Sequence, residues 1–105
     1  MRYALLLVTL GLMSALSPRG FGQEISDRWR YTLEPPAAGW QEVGFDDSQW
    51  KEGNGGFGTK GTPGARIGTR WASKVIWLRK SFELKDVLSQ PAILIHHDED
   101  AQVYL

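Results

Sequence analysis

Residues 75–84 have the sequence VIWLRKSFEL. Apolar and polar side chains alternate along this stretch: Ile76, Leu78 and Phe82 share one parity, and Lys80 is the polar exception on that side. Because successive side chains of a β-strand point to opposite faces of a sheet, the alternation predicts a strand with one buried face. This stretch therefore places the chain in a β class.

Three further stretches have the pattern of strands, at residues 28–34, 92–96 and 101–105. The first alternates, with Trp29 and Tyr31 on one face, and the last alternates in the same way. The middle stretch, AILIH, is continuously apolar and rich in branched side chains, which is typical of a strand covered on both faces. The sequence has no amphipathic helix of useful length. We expect an all-β chain built as a β-sandwich.

Two segments between these strands are rich in turn-forming residues. Residues 45–50, FDDSQW, place three short polar side chains between two aromatic residues, which favours one helical turn held to the core at both ends. Residues 53–68 contain seven glycines in 16 positions and also Phe57, Pro63 and Ile67. A flexible linker would have this glycine content, but the apolar residues favour an ordered loop with unusual backbone angles.

The N-terminus has the pattern of an export signal. Arg2 supplies a positive charge, residues 4–16 are almost uninterruptedly apolar, and Ser17 begins the polar break that follows. An apolar run of 13 residues is shorter than the roughly 20 residues that cross a bilayer as a helix. We expect residues 1–22 to be a signal peptide cleaved after Gly22 and residues 23–105 to be secreted or periplasmic, with no membrane attachment after cleavage.

Composition narrows the possible functions. The 105 residues carry 12 basic and 12 acidic side chains, and this balance argues against the clustered basic face that captures nucleic acid. The chain has no cysteine, which excludes disulfides, thiolate zinc sites and thiol nucleophiles. It also has no nucleophile or phosphate-loop motif, and its two histidines are adjacent. We therefore expect no enzymatic activity within these residues.

One cluster of residues has side chains of the kind that bind metals. Residues 96–100 are HHDED, and a turn there could bind calcium through Asp98 and Asp100. Neighbouring side chains of an extended chain point to opposite sides, and no calcium-loop motif is present. The alternative is a solvated turn between two strands. We therefore expect no cofactor, with calcium as the one candidate.

The five tryptophans are the candidates for burial or ligand contact. Trp29, Trp40 and Trp50 lie in aromatic-rich or alternating contexts and are expected in the core. Trp71 follows the glycine-rich segment, and Trp77 shares its strand face with Arg79. An indole beside hydrogen-bonding groups suits a sugar, because the apolar face of a pyranose stacks on the ring while its hydroxyls form directional bonds. We expect Trp71, Trp77 and Arg79 as the candidate carbohydrate site, with core or inter-domain packing as the alternative.

The order of several motifs resembles a known family. They are Trp40, FDDSxW at residues 45–50, GGFG at 55–58, GTxW at 68–71, IWLRKxF at 76–82 and HDEDAxVYL at 97–105. Together they resemble the galactose-binding-like β-sandwich, a jelly-roll domain that is the sugar-binding module of family 2 glycoside hydrolases and an accessory domain in other secreted bacterial glycan enzymes. The resemblance covers nearly all of residues 23–105.

The resemblance carries expectations about fold and function. It implies that residues 23–105 form the N-terminal portion of such a domain, incomplete because the family continues with further strands after the one matching residues 101–105. It implies a non-catalytic role beside carbohydrate, with sugar or a fused catalytic domain as the partner and no catalytic residue in this chain. Two alternatives remain: a truncated structural fragment without a ligand, and a β-domain that binds calcium or another metal.

Overall fold

A computed structural model gives the fold of the chain. It describes residues 3–12, 26–61, 63–87, 89–90, 92–97 and 99–105. Seven strands lie in this part of the chain: β1 (Tyr3–Leu12), β2 (Arg28–Thr32), β3 (Lys51–Asn54), β4 (Phe57–Gly58), β5 (Thr69–Arg70), β6 (Val75–Leu84) and β7 (Asp100–Tyr104). The described residues contain no helix, so the prediction of an all-β chain is confirmed.

Five of the strands form one mixed sheet in the order β3-β2-β6-β1-β7. β2 is antiparallel to both β3 and β6, whereas β1 is parallel to β6 and to β7. β4 and β5 form a separate parallel pair. β6 is the longest strand that the sequence predicted, and its observed bounds agree with the prediction. It joins the antiparallel half of the sheet to the parallel half.

The core lies on one face of β6. Ile76 is fully buried, Leu78 is 7% exposed, and both pack with the buried ring of Trp71. Trp29 and Tyr31 of β2 pack against this cluster. This is expected because Tyr31 lies directly opposite Leu78 of β6 and Trp29, two residues away, points to the same face of the sheet. The predicted buried face of residues 75–84 is therefore confirmed at its centre.

The described part of the glycine-rich segment is held by main-chain hydrogen bonds. The backbone amides of Gly68 and Thr69 donate to the carbonyl of Gly56 over 2.8 and 3.0 Å. The backbone amide of Trp71 donates to the carbonyl of Gly58 over 2.7 Å. Gly56 has φ of +86°, and a Cβ at that position would overlap the carbonyl oxygen of Arg66. Only glycine fits such a position without strain. The segment thereby brings Trp71 onto the core.

Residues 45–50 form a tight turn rather than the predicted helical turn. The amide of Trp50 donates to the carbonyl of Asp47 over 2.9 Å, and the amide of Ser48 donates to the Asp46 carboxylate over 2.9 Å. A short polar side chain that accepts from the backbone two residues later offers an alternative to helical hydrogen bonding. The local polar pattern therefore produced a turn.

The structure differs from the sequence prediction next to β6. Residues 92–96 form no strand, and Leu94 is 99% exposed. On the side of β6 away from β2 lies β1, a strand that the sequence did not predict and that falls within the predicted export signal. The cleavage site predicted after Gly22 is outside the described residues, so the signal peptide stays a prediction. Among the described residues, none belongs to a helix with the length and apolarity needed to cross a membrane.

Candidate functional site

A groove lies over the core face of the sheet. It encloses about 900 Å³. Its floor is formed by Ile76, Leu78 and Trp71, and its walls by the glycine-rich segment and residues 92–97. Trp29 and Phe57 add two further aromatic rings. A concave, mainly apolar surface of this volume is typical of small-molecule sites.

Charged groups lie at the rim of this groove. The Lys80 ammonium is 4.8 Å from the centre of the Trp29 ring, a cation–π distance. Burial lowers the pKa of Lys80 below its usual value, and the charge of Asp27 opposes this effect. Arg66, His96 and other polar residues also line the groove. The site thus combines aromatic surface with groups that can form directional hydrogen bonds.

The opposite face of β6 carries a buried arginine. Arg79 is 2% exposed, and its Nε donates to the Asp47 carboxylate over 2.8 Å. One terminal nitrogen donates to the carbonyl of Trp40 and, over 3.2 Å, to that of Glu42. The guanidinium carbon lies 5.1 Å from the centre of the Phe45 ring. A guanidinium offers its donors in a fixed fork, which suits several acceptors at once.

These contacts make Arg79 the anchor of the segment that covers this face. Trp40 is buried, its ring meets Trp50 at a centroid distance of 6.4 Å, and it meets Tyr104 of β7 edge-on at 5.5 Å. Arg30 of β2 donates to the carbonyl of Trp50 over 3.2 Å. Residues 40–50 are thus held against β2, β6 and β7. The Nε and one terminal nitrogen of Arg79 form hydrogen bonds within the protein that hold this segment in place.

The structure does not bring the three predicted carbohydrate residues together. Trp71 lies on the groove face, and its indole N–H donates to the Ser73 hydroxyl over 3.0 Å. Trp77 and Arg79 have the opposite parity on β6 and belong to the other face. Trp77 is half-buried there. Of the three, Trp71 alone lines the groove.

The sequence did not identify Trp29 and Lys80 as candidate ligand-binding residues, although both line the groove. The sequence predicts Trp29 in the core and shows Lys80 only as a polar exception on an apolar face. One feature of the sequence indicates this role for Lys80: it lies on the same face of the strand as Ile76 and Leu78. A lysine on an apolar face marks the point where that face reaches solvent, since its ammonium remains hydrated at the end of an apolar stem.

The predicted calcium site is only partly visible. Asp100 begins β7 and is exposed, and Asp98 lies outside the described residues. Nδ1 of His97 lies 3.0 Å from the carbonyl oxygen of Glu99. The described part of the chain contains no group of three or more potential metal ligands. A calcium site at Asp98 and Asp100 therefore stays a prediction.

A functional interpretation rests on the two faces of β6: the Ile76 face, which carries the groove, and the Arg79 face, which residues 40–50 cover. The groove face combines aromatic rings with charged groups at its rim. On the opposite face the charged Arg79 is buried and bonded to Asp47 and main-chain carbonyls. Comparison with known proteins adds nothing to this picture: no family model, no curated protein and no solved structure matches the chain.

Proposed function

We propose that the chain is a non-catalytic carbohydrate-associated module of a secreted glycan-processing hydrolase. Residues 23–105 would form the N-terminal portion of a jelly-roll sandwich of the galactose-binding-like kind, working outside the cytoplasm after removal of residues 1–22. Its task is to dock on a catalytic domain or to hold sugar near it. The motif resemblance and the apolar N-terminal run support this assignment.

The groove is the observation that carries the proposal. Its aromatic lining, with Trp29 at the edge, offers the flat apolar surface on which the face of a pyranose stacks. Lys80 and Asp27 at the rim offer a donor and an acceptor for hydroxyl groups. The groove is large enough for a short oligosaccharide rather than a single atom or ion. The sugar site is therefore proposed on the Ile76 face.

The experiment is glycan binding by the full chain, with galactose, cellohexaose and xylohexaose as probes in isothermal titration calorimetry. Trp29→Ala and Trp77→Ala form a matched pair, because both tryptophans are half-buried but lie on opposite faces of the sheet. We expect Trp29→Ala to weaken binding at least about tenfold, the effect of roughly 1.4 kcal/mol. Trp77→Ala should leave it unchanged.

The outcomes separate the possible sites. Loss of binding in Trp77→Ala alone would move the site to the Arg79 face and contradict the groove assignment. Absence of binding to every probe by a chain that retains its β-sheet circular dichroism spectrum would contradict a sugar-binding role for the isolated chain. Binding that depends on added calcium would favour the metal-binding alternative.

A further inference from the structure

The positions of β6 and β7 leave space for one strand between them. Leu6 of β1 pairs with Leu78 of β6 on one side and with Val103 of β7 on the other. β6 and β7 therefore run in the same direction, two strand spacings apart, or about 9–10 Å. While residues 1–22 are present, this position is held by Tyr3–Leu12.

The chain between β6 and β7 contains a segment suited to the same position. β6 ends at Leu84 and β7 begins at Asp100, so the chain must return along the length of the sheet between them. Residues 92–96 follow seven linking residues and precede three more. Three-residue connections are common in hairpins. Strands 75–84, 92–96 and 100–104 would then alternate in direction, as neighbouring strands joined by short loops do.

The register of this arrangement follows from the three-residue connection. Placing His96 opposite Asp100 puts Ile93 opposite Val103. Val103 is level with Leu78, because both pair with the same residue of β1. Directly opposed residues point to the same face, so Ile93 lies on the buried face of Leu78. A shift by one residue would turn it to the other face.

The other positions also match their surroundings. Ile95 falls level with Ile76, the fully buried residue of the core. Ala92 falls between Arg79 and Tyr104, on the face where Trp40 already covers both. β1 places Leu7 at this level, where it pairs with both Arg79 and Tyr104, so the position also admits the smaller alanine. The apolar residues and the alanine therefore all lie where the sheet would accommodate them.

The present location of residues 92–97 leaves apolar surface uncovered. Ile93 and Ile95 are 45% and 40% exposed, and Leu94 is almost fully exposed. Such a run is costly in water and has high strand propensity. Its exposure has a direct cause in the structure: the position beside β6 is already filled by β1.

We propose that Tyr3–Leu12 and residues 92–96 compete for one position in the sheet. Tyr3–Leu12 holds it while residues 1–22 are present. Residues 92–96 enter it, antiparallel to β6 and β7, when residues 1–22 are removed. Removal of the predicted export signal is thereby coupled to completion of an antiparallel sheet, and the buried face of that sheet gains Ile93 and Ile95. This inference does not rest on sugar binding, but it takes residues 92–96 out of the groove wall, so the groove described above belongs to the chain that retains Tyr3–Leu12.

The test uses the full chain, in which Leu6→Pro weakens β1 because proline removes a ladder donor from a central strand. Combined with Leu6→Pro, the double substitution Leu94→Cys and Gln102→Cys detects residues 92–96 in the sheet. In the proposed register positions 94 and 102 are directly opposed, about 5.5 Å apart, which allows a disulfide to form. Ile93→Cys with Gln102→Cys is the control, offset by one residue. The natural chain has no other thiol.

We expect Leu6→Pro to raise disulfide formation by the Leu94–Gln102 cysteine pair at least about tenfold, the shift produced by roughly 1.4 kcal/mol. The offset pair should not respond. Equal responses of the two pairs would indicate an irregular segment and overturn the proposal. Loss of the β-sheet signal in Leu6→Pro would also overturn it, because the vacated position would then not have been refilled.

A second variant tests the competition without cysteines. Leu94→Pro alone should leave the urea midpoint unchanged, because Leu94 lies in exposed coil while β1 is in place. Combined with Leu6→Pro, it should lower the midpoint by more than the two separate effects together. Additive effects would show that residues 92–96 do not replace β1, and the proposal would be wrong.

Discussion

Replacement of Arg79 by methionine tests whether the buried ion pair holds residues 40–50 on the sheet. The change leaves Asp47, whose side chain is 27% exposed, without its ion-pair partner, and it removes the donor of two main-chain carbonyls. Removing one partner of a buried pair costs about 3–5 kcal/mol. Because Asp47 keeps part of its hydration, we expect the lower end, about 3 kcal/mol in the free energy of unfolding.

The assay is urea unfolding followed by tryptophan fluorescence. A loss of about 3 kcal/mol lowers the midpoint by about 2 M when the slope is about 1.5 kcal/mol per molar. Glu52→Gln is the matched control, because it breaks ion pairs at 2.6 and 3.0 Å whose side chains are exposed. Its midpoint should barely move. Equal midpoints for Arg79→Met and Glu52→Gln would refute the anchoring role of Arg79.

Two further outcomes are expected. The hydrogen bond from Arg28 and the positive charges around it lower the pKa of Glu52 below its ordinary 4.5, so its stabilising contribution is present above that pH and is lost as pH falls through the lowered pKa. Glu52→Gln should remove a small part of the fall in the urea midpoint across this acidic range, and a fall identical to that of the parent chain would contradict the ion pair. Gly56→Ala should destabilise the chain by about 1–3 kcal/mol, because it combines a positive φ with overlap at a carbonyl. Gly44→Ala, with nothing within 4 Å of the added methyl group, should unfold like the parent in the same urea titration.

Local alternation predicted the strands that pair across an apolar face. It located β6 completely and β2 and β7 to within two residues, because the parity that buries Ile76 and Leu78 is written in the sequence itself. It could not predict which segment would lie beside β6. Residues 4–16 and residues 92–96 are both apolar enough to form a strand beside β6. Which of them pairs with β6 depends on the competition between them in the folded chain.

The candidate site was predicted less well than the strands. Trp71 was singled out and does line the groove, but Trp77 and Arg79 belong to the other face. An arginine beside a tryptophan suits a sugar site as well as a structural anchor. The difference depends on Asp47, which is 32 residues distant in sequence, and on main-chain carbonyls that carry no sequence signal.

The pairing of distant segments in this sheet has a consequence for the timing of folding. β2 must find β6 across more than 40 residues, and β1 must find both β6 and β7 from the far end of the chain. Long loops must close before such contacts stabilise anything, so a topology of this kind folds slowly. Under the export proposed above, slow folding would lengthen the interval in which the unfolded chain can still pass through a translocation channel.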